Sequence, residues 1–146
     1  MSRALGALCA GLLVGCLLAP LAASAQGFGR NKIQYDGFDW HVLRTEHFDV
    51  YYYPEAEDLA RIGAAAAEEA YDEYEGRFEF SLVERVPMVF YATNLHFKQT
   101  NITPGFIPDG VGGFFEFLNG RVVIPADGNL GRFRNVIRHE LVHVFT

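Results

Sequence analysis

The sequence predicts an α+β fold over residues 40–146, and three observations carry that reading. Short β-prone runs recur at 40–44, 48–53, 86–91, 114–117 and 121–124. Two longer stretches, opening at Pro54 and Leu130, repeat apolar residues at helical spacing. An Asn119-Gly120 pair sits between the last two β runs, a strong hairpin signal. Half of the 146 residues are apolar, enough for one domain with a buried core.

The elements follow in chain order. Residues 26–39 are Gly-rich and polar and read as a linker. The runs W-H-V-L-R at 40–44 and F-D-V-Y-Y-Y at 48–53 flank Thr45-Glu46-His47 and predict a hairpin or two adjacent strands. Pro54 opens a helix to about Arg77, with Glu55, Glu57 and Asp58 at the positive end of its dipole. Leu59, Ile62, Ala66, Ala70 and Tyr74 form its expected buried stripe. Glu68, Glu69, Asp72, Glu73 and Glu75 form a solvated face. V-P-M-V-F-Y at 86–91 is a third strand, with Pro87 near its start. Asn94 caps a short turn through Lys98, and residues 100–113 form a Gly- and Pro-containing loop. Asp127 and Asn129 offer caps for the last helix, whose stripe is Leu130, Phe133, Ile137, Leu141 and Val144. That helix meets no stop signal before Thr146, so the expectation is a domain continuing past it.

The first 25 residues have their own pattern. Arg3 gives a positive start, residues 4–21 are almost wholly apolar, and Ala23-Ser24-Ala25 is a small-residue cleavage site. This predicts an export signal and a periplasmic or secreted protein. Pro20 and the small residues at the end favour cleavage over a retained membrane anchor, so no span is expected after processing. An alternative lies in L-V-G-C at 13–16, which resembles a lipobox and would anchor the protein through a lipidated Cys16. Both cysteines, Cys9 and Cys16, fall in this segment. A mature chain from Gln26 has neither disulfide nor thiolate chemistry. Losing Arg3 moves the net charge from −6 to −7, and no basic cluster remains. Such a chain is a poor partner for nucleic acid or anionic membrane.

H-E-L-V-H at 139–143 is the motif that carries chemistry. On a helix, His139 and His143 lie one turn apart on the same face. Both imidazoles can reach one Zn²⁺ at about 2.0–2.1 Å. Glu140 is rotated by about 100° from His139, close enough to touch a zinc-bound water. Zinc brings the pKa of that water to about 7, and Glu140 accepts the proton as the hydroxide attacks a carbonyl. Leu141 and Val142 face elsewhere and anchor the helix. A third ligand is required. The continuation H-E-x-x-H-x-x-G-x-x-H fails, because Thr146 stands at the Gly position. The remaining route is a Glu on a later helix, expected beyond residue 146.

With these residues in view, T-N-I at 100–102, G-V-G-G-F at 110–114, R-V-V-I-P at 121–125 and R-H-E-L-V-H-V-F at 138–145 resemble bacterial peptidase MA-like domains, which are gluzincins. The resemblance covers roughly residues 48–146. It implies a zincin-like mixed sheet packed on the active-site helix. It implies His139 and His143 as zinc ligands, Glu140 as catalytic base and a downstream Glu ligand. It also implies that a β-propeller can follow this domain in the full-length protein. In such enzymes a strand before the zinc helix edges the sheet and pairs with the substrate backbone. Residues 113–117 or 121–124 would supply it, with Gly113, Phe114 and Phe115 as the candidate contacts.

The expected function is therefore a zinc metallopeptidase acting on peptides or proteins outside the cytoplasm. The alternative is an inactive scaffold of the same fold within a larger envelope protein. His41, His47 and His96 are scattered and read as structural or exposed. Arg138 is expected to pair with an acid, Glu116 to be a hairpin surface charge, and Tyr91 and Tyr51 to Tyr53 to be strand packing.

Overall fold

A computed structural model describes residues 31–146. The export signal, both cysteines and the first part of the linker lie outside the described residues. Among the described residues the fold is α+β, with a five-stranded mixed sheet and three α-helices.

The strands are β1 (His41–Arg44), β2 (Phe48–Tyr52), β3 (Val86–Tyr91), β4 (Phe114–Glu116) and β5 (Arg121–Pro125). The helices are α1 (Glu57–Phe78), α2 (Asn94–Lys98) and α3 (Leu130–Phe145). The sheet order is β1-β2-β3-β5-β4. Both outer pairs are antiparallel hairpins, and the central pairs β2/β3 and β3/β5 are parallel. Parallel pairing needs a crossover connection. α1 supplies the first, and α2, its following loop and β4 make up the second.

Both faces of the central strands are covered, which explains their continuous apolar runs. Met88 and Phe90 of β3, with Val122 and Ile124 of β5, point toward α1 and α3. Val89, Tyr91 and Val123 point the other way, into a second cluster with Tyr53, Phe97 and Ile107. Residues 31–39, read as linker, form no helix or strand, yet they are tied down. Gln99 Oε1 accepts from the Tyr35 and Asp36 amides at 2.8 and 3.2 Å, and its Nε2 donates to Asp36 at 2.8 Å. Phe38 stacks on Tyr53 with centroids 4.6 Å apart. The sequence hides the hydrogen bonds because Gln99 lies more than 60 residues away.

Four element-level expectations change. Residues 54–56 form a 3-10 turn, and the α-helix starts at Glu57. The buried face of α1 is Ala60, Gly63, Ala64, Ala66, Ala67, Ala70, Tyr71 and Tyr74, so Ala66, Ala70 and Tyr74 lie in the expected stripe, while Leu59 and Ile62 are only partly buried. The reason is closeness: a Cβ on Gly63 would lie 2.3 Å from Phe90 Cε2 and 3.1 Å from Phe133 Cε1. Around Gly63 only small residues fit beneath α1, so Leu59 and Ile62 sit at the margin, whereas Tyr71 and Tyr74 are buried further along the helix. In α3, Leu130 is exposed and Val144 partly buried, and Phe145 takes the stripe's last place. The cap of α2 is Thr93, whose hydroxyl accepts from the His96 amide at 3.2 Å, and Asn94 is the first helical residue. No helix among the described residues is long and apolar enough to cross a membrane.

Candidate functional site

α3 begins with a well-formed cap. Asn129 Oδ1 accepts from the Arg132 amide at 2.9 Å, and Asp127 Oδ1 accepts from the Asn129 amide at 2.9 Å. Phe133, Ile137, Leu141 and Phe145 recur every four residues and fix one face in the core. That registration sets the direction of everything else on the helix. His139 and His143 fall on the exposed margin, with ring centroids 5.2 Å apart and planes at 86°.

Glu140 falls between the core and the surface. It is 7% exposed and is the one buried charged side chain among the described residues. Burial pushes its carboxyl above the ordinary range, and the charges of His139 and His143 and the Phe115 amide pull against that without cancelling it. The nearby arginines are committed elsewhere. Arg138 pairs with Glu73, and Arg121 Nε donates to Glu116 at 2.8 Å.

The strand beside this helix is β4, at the edge of the sheet. Among the described residues it pairs only with β5, with Phe115 opposite Val122 and Glu116 opposite Arg121. Its approach to α3 depends on two glycines. A Cβ on Gly112 would lie 3.2 Å from Val136, and one on Gly113 would lie 3.0 Å from both Val136 Cγ1 and the Val123 carbonyl oxygen. Val136 is one turn before Glu140, so the glycines set the spacing between the edge strand and the motif. An open cavity of about 460 Å³ results, with Gly113, Phe115 and Phe117 on one side and Glu140, His143 and Thr146 on the other.

The structure thus brings Glu140 and His143 together with the three edge-strand candidates Gly113, Phe114 and Phe115. Phe114 reaches the cavity from the strand, while its ring packs on Phe97 in the second cluster at 5.6 Å. Two exposed imidazoles at this separation have the donor type and the access that a zinc ion needs. No group of three or more His, Cys, Asp or Glu side chains that could hold a metal occurs among the described residues.

The other sequence candidates have structural partners. His47 Nδ1 lies 2.7 Å from Glu68, and its ring stacks on Tyr71 at 3.6 Å. His96 Nδ1 lies 2.7 Å from the Tyr53 hydroxyl, and His41 pairs at the surface with Asp39. Glu116 also accepts from Asn119 at 2.9 Å, within its own hairpin. Burial pushes the Tyr53 hydroxyl up to about 12, and both Tyr53 and Tyr91 lie in the second cluster, away from α3.

One tie was missed from sequence. Tyr74 of α1 donates its hydroxyl to the Arg138 carbonyl at 3.1 Å, and the Arg138 guanidinium lies 5.5 Å from the Tyr74 ring. Together with Glu73, it pins the turn that presents His139. Tyr74 is legible as a stripe residue, but its polar end is not. Comparison of the chain with protein-family models, with curated proteins and with solved structures finds no match.

Proposed function

We propose that the chain carries the front part of a zinc metallopeptidase site, of the gluzincin kind that the peptidase MA-like resemblance implies. The observation that carries the reading is a buried carboxylate, Glu140, between two exposed imidazoles and beside an edge strand. His139 and His143 would hold the zinc ion, with a third ligand, a Glu by the resemblance, from outside the described residues. A zinc ion there supplies Lewis acidity and a nucleophile at neutral pH.

The chain's own residues supply the rest. Glu140 takes the proton of the attacking water and returns it to the departing amine. Its raised affinity for a proton suits a group that must both accept and release one. The free edge of β4 pairs with the backbone of an extended peptide, which binds it with little sequence demand. The export signal at 1–25 puts this activity in the periplasm or outside the cell, or on a membrane if Cys16 is lipidated.

The test is made on the full-length protein. Metal analysis should find one zinc per chain, and a broad peptide library should be cleaved. Glu140→Gln should retain the zinc and lower hydrolysis by about 10²–10⁴-fold. A protein that holds no zinc and cleaves nothing would be the scaffold instead.

A further inference from the structure

We propose that Phe115 and Phe117 form a recognition surface for one large apolar side chain of the substrate, next to the bond that is cut. This rests on the peptidase reading and names the substrate class for that site.

Three observations point to it. First, Phe115 and Phe117 wall the same cavity as Glu140 and His143, with their rings 6.4 Å apart at 90°. Side chains alternate along a strand. Phe114 turns to the second cluster, so Phe115 and the turn residue after Glu116 share the side facing α3. Second, the described residues leave Phe117 uncovered. It is 86% exposed, and its neighbour Leu118 is 90% exposed, in a turn that needs only Gly120 in the left-handed conformation. Third, the cavity wall contains no Lys or Arg, and its charged group is the Glu140 carboxylate. An acidic substrate side chain against the two rings would lose water and find no Lys or Arg in the wall to pair with. An aromatic or long aliphatic one would meet two ring edges and faces.

An extended peptide on β4 alternates its side chains as the strand does. Every second residue therefore faces Phe115 and Phe117, and the one over the cavity lies beside Glu140. Selection should fall on one position flanking the cleaved bond rather than on the whole peptide.

The experiment uses full-length protein and two readouts. In the first, zinc-treated Glu140→Gln protein is titrated with fluorescein-labelled peptides identical except for Phe or Asp at one position, read by anisotropy. The Phe peptide should bind at least tenfold more tightly for one register, and adding Phe117→Asp should remove most of that difference. In the second, cleavage sites in a peptide library are read by mass spectrometry. Wild type should enrich apolar residues at one position, and Phe117→Asp and Phe117→Ser should each lose that enrichment.

Equal binding of the Phe and Asp peptides would overturn the proposal. So would an enrichment unchanged in both Phe117 variants, or variants that lose thermal stability while keeping the preference. Failure of the peptidase reading looks different: no zinc and no cleavage, with the anisotropy comparison still deciding whether this surface selects apolar peptides.

Discussion

Helices α1 and α3 pack against each other on one face of the sheet, yet they bury different things. Under α1 lie Gly63 and a row of alanines with Tyr71 and Tyr74, and its ionised groups face solvent or answer a neighbour, as Glu68 answers His47. Under α3 lie Phe133, Ile137, Leu141 and Phe145, and among them a carboxylate, Glu140, that no Lys or Arg among the described residues pairs with. In α1 the local rules agree with the fold. In α3 one of them is broken, since a buried ionisable group costs stability unless it is paired. Such a conflict inside an otherwise consistent core marks a position retained for something other than packing.

The contrast can be broken by substitution. Leu141→Ala, at a fully buried site, should lower the stability of α3's face by about 2–5 kcal/mol, read by denaturant unfolding. If the loss is well below this range, α3 is not the anchored element described above.

A sharper version uses glycine in both regions. Gly63→Ala drives a Cβ into Phe90, and Gly113→Ala drives one into the Val123 carbonyl and Val136. Each should cost about 1–3 kcal/mol from overpacking, with the α1 variant recovering part through helix propensity. They should differ in function. Gly63→Ala should leave hydrolysis per folded molecule intact, whereas Gly113→Ala should reduce it by moving β4 off α3. Equal activity in the two would show that strand spacing does not matter to the site.

The smallest effect concerns acid. Burial raises the Glu68 carboxyl, but hydrogen bonds from Thr45 and His47 and the charge of His47 outweigh it, so its folded value is lowered. A lowered acid stabilises the fold above its unfolded pKa, about 4.3, and that contribution is lost as pH falls through the folded value. Wild type should therefore be more stable than Glu68→Gln near neutrality, and the gap should shrink below about pH 4. A gap independent of pH would mean that packing, not the His47 pair, fixes the β1–β2 turn to α1.

Much of this was legible in the residues, for a definable reason. The strands at 41–44, 48–52, 86–91 and 121–125 are short β-prone runs and the helix at 130–145 repeats core residues every four positions, and such patterns are local. The hairpin at 117–120 follows from Asn119-Gly120, with Gly120 at φ 59°. In the stripe of α1, Ala66, Ala70 and Tyr74 are buried as their spacing predicts, but Leu59 and Ile62, core by hydrophobicity, are only partly buried because the gap near Gly63 admits only small residues. The docking of residues 31–39 escaped because its hydrogen bonds end on Gln99 and Asn101. The role of Gly112 and Gly113 escaped because it depends on Val136, more than 20 residues later.

By itself the sequence determined the pairing of His139 with His143 on one turn and the place of Glu140 between them, since helix geometry acts over four residues. It also determined that two β runs close a hairpin before that helix. Only the tertiary structure decided that β4 is the edge strand, that α3 is pressed against it through Gly113, and that Glu140 is buried there. Those are relations between segments far apart in the chain. They are set by which surfaces fit together at close range, and local patterns hold no record of that fit.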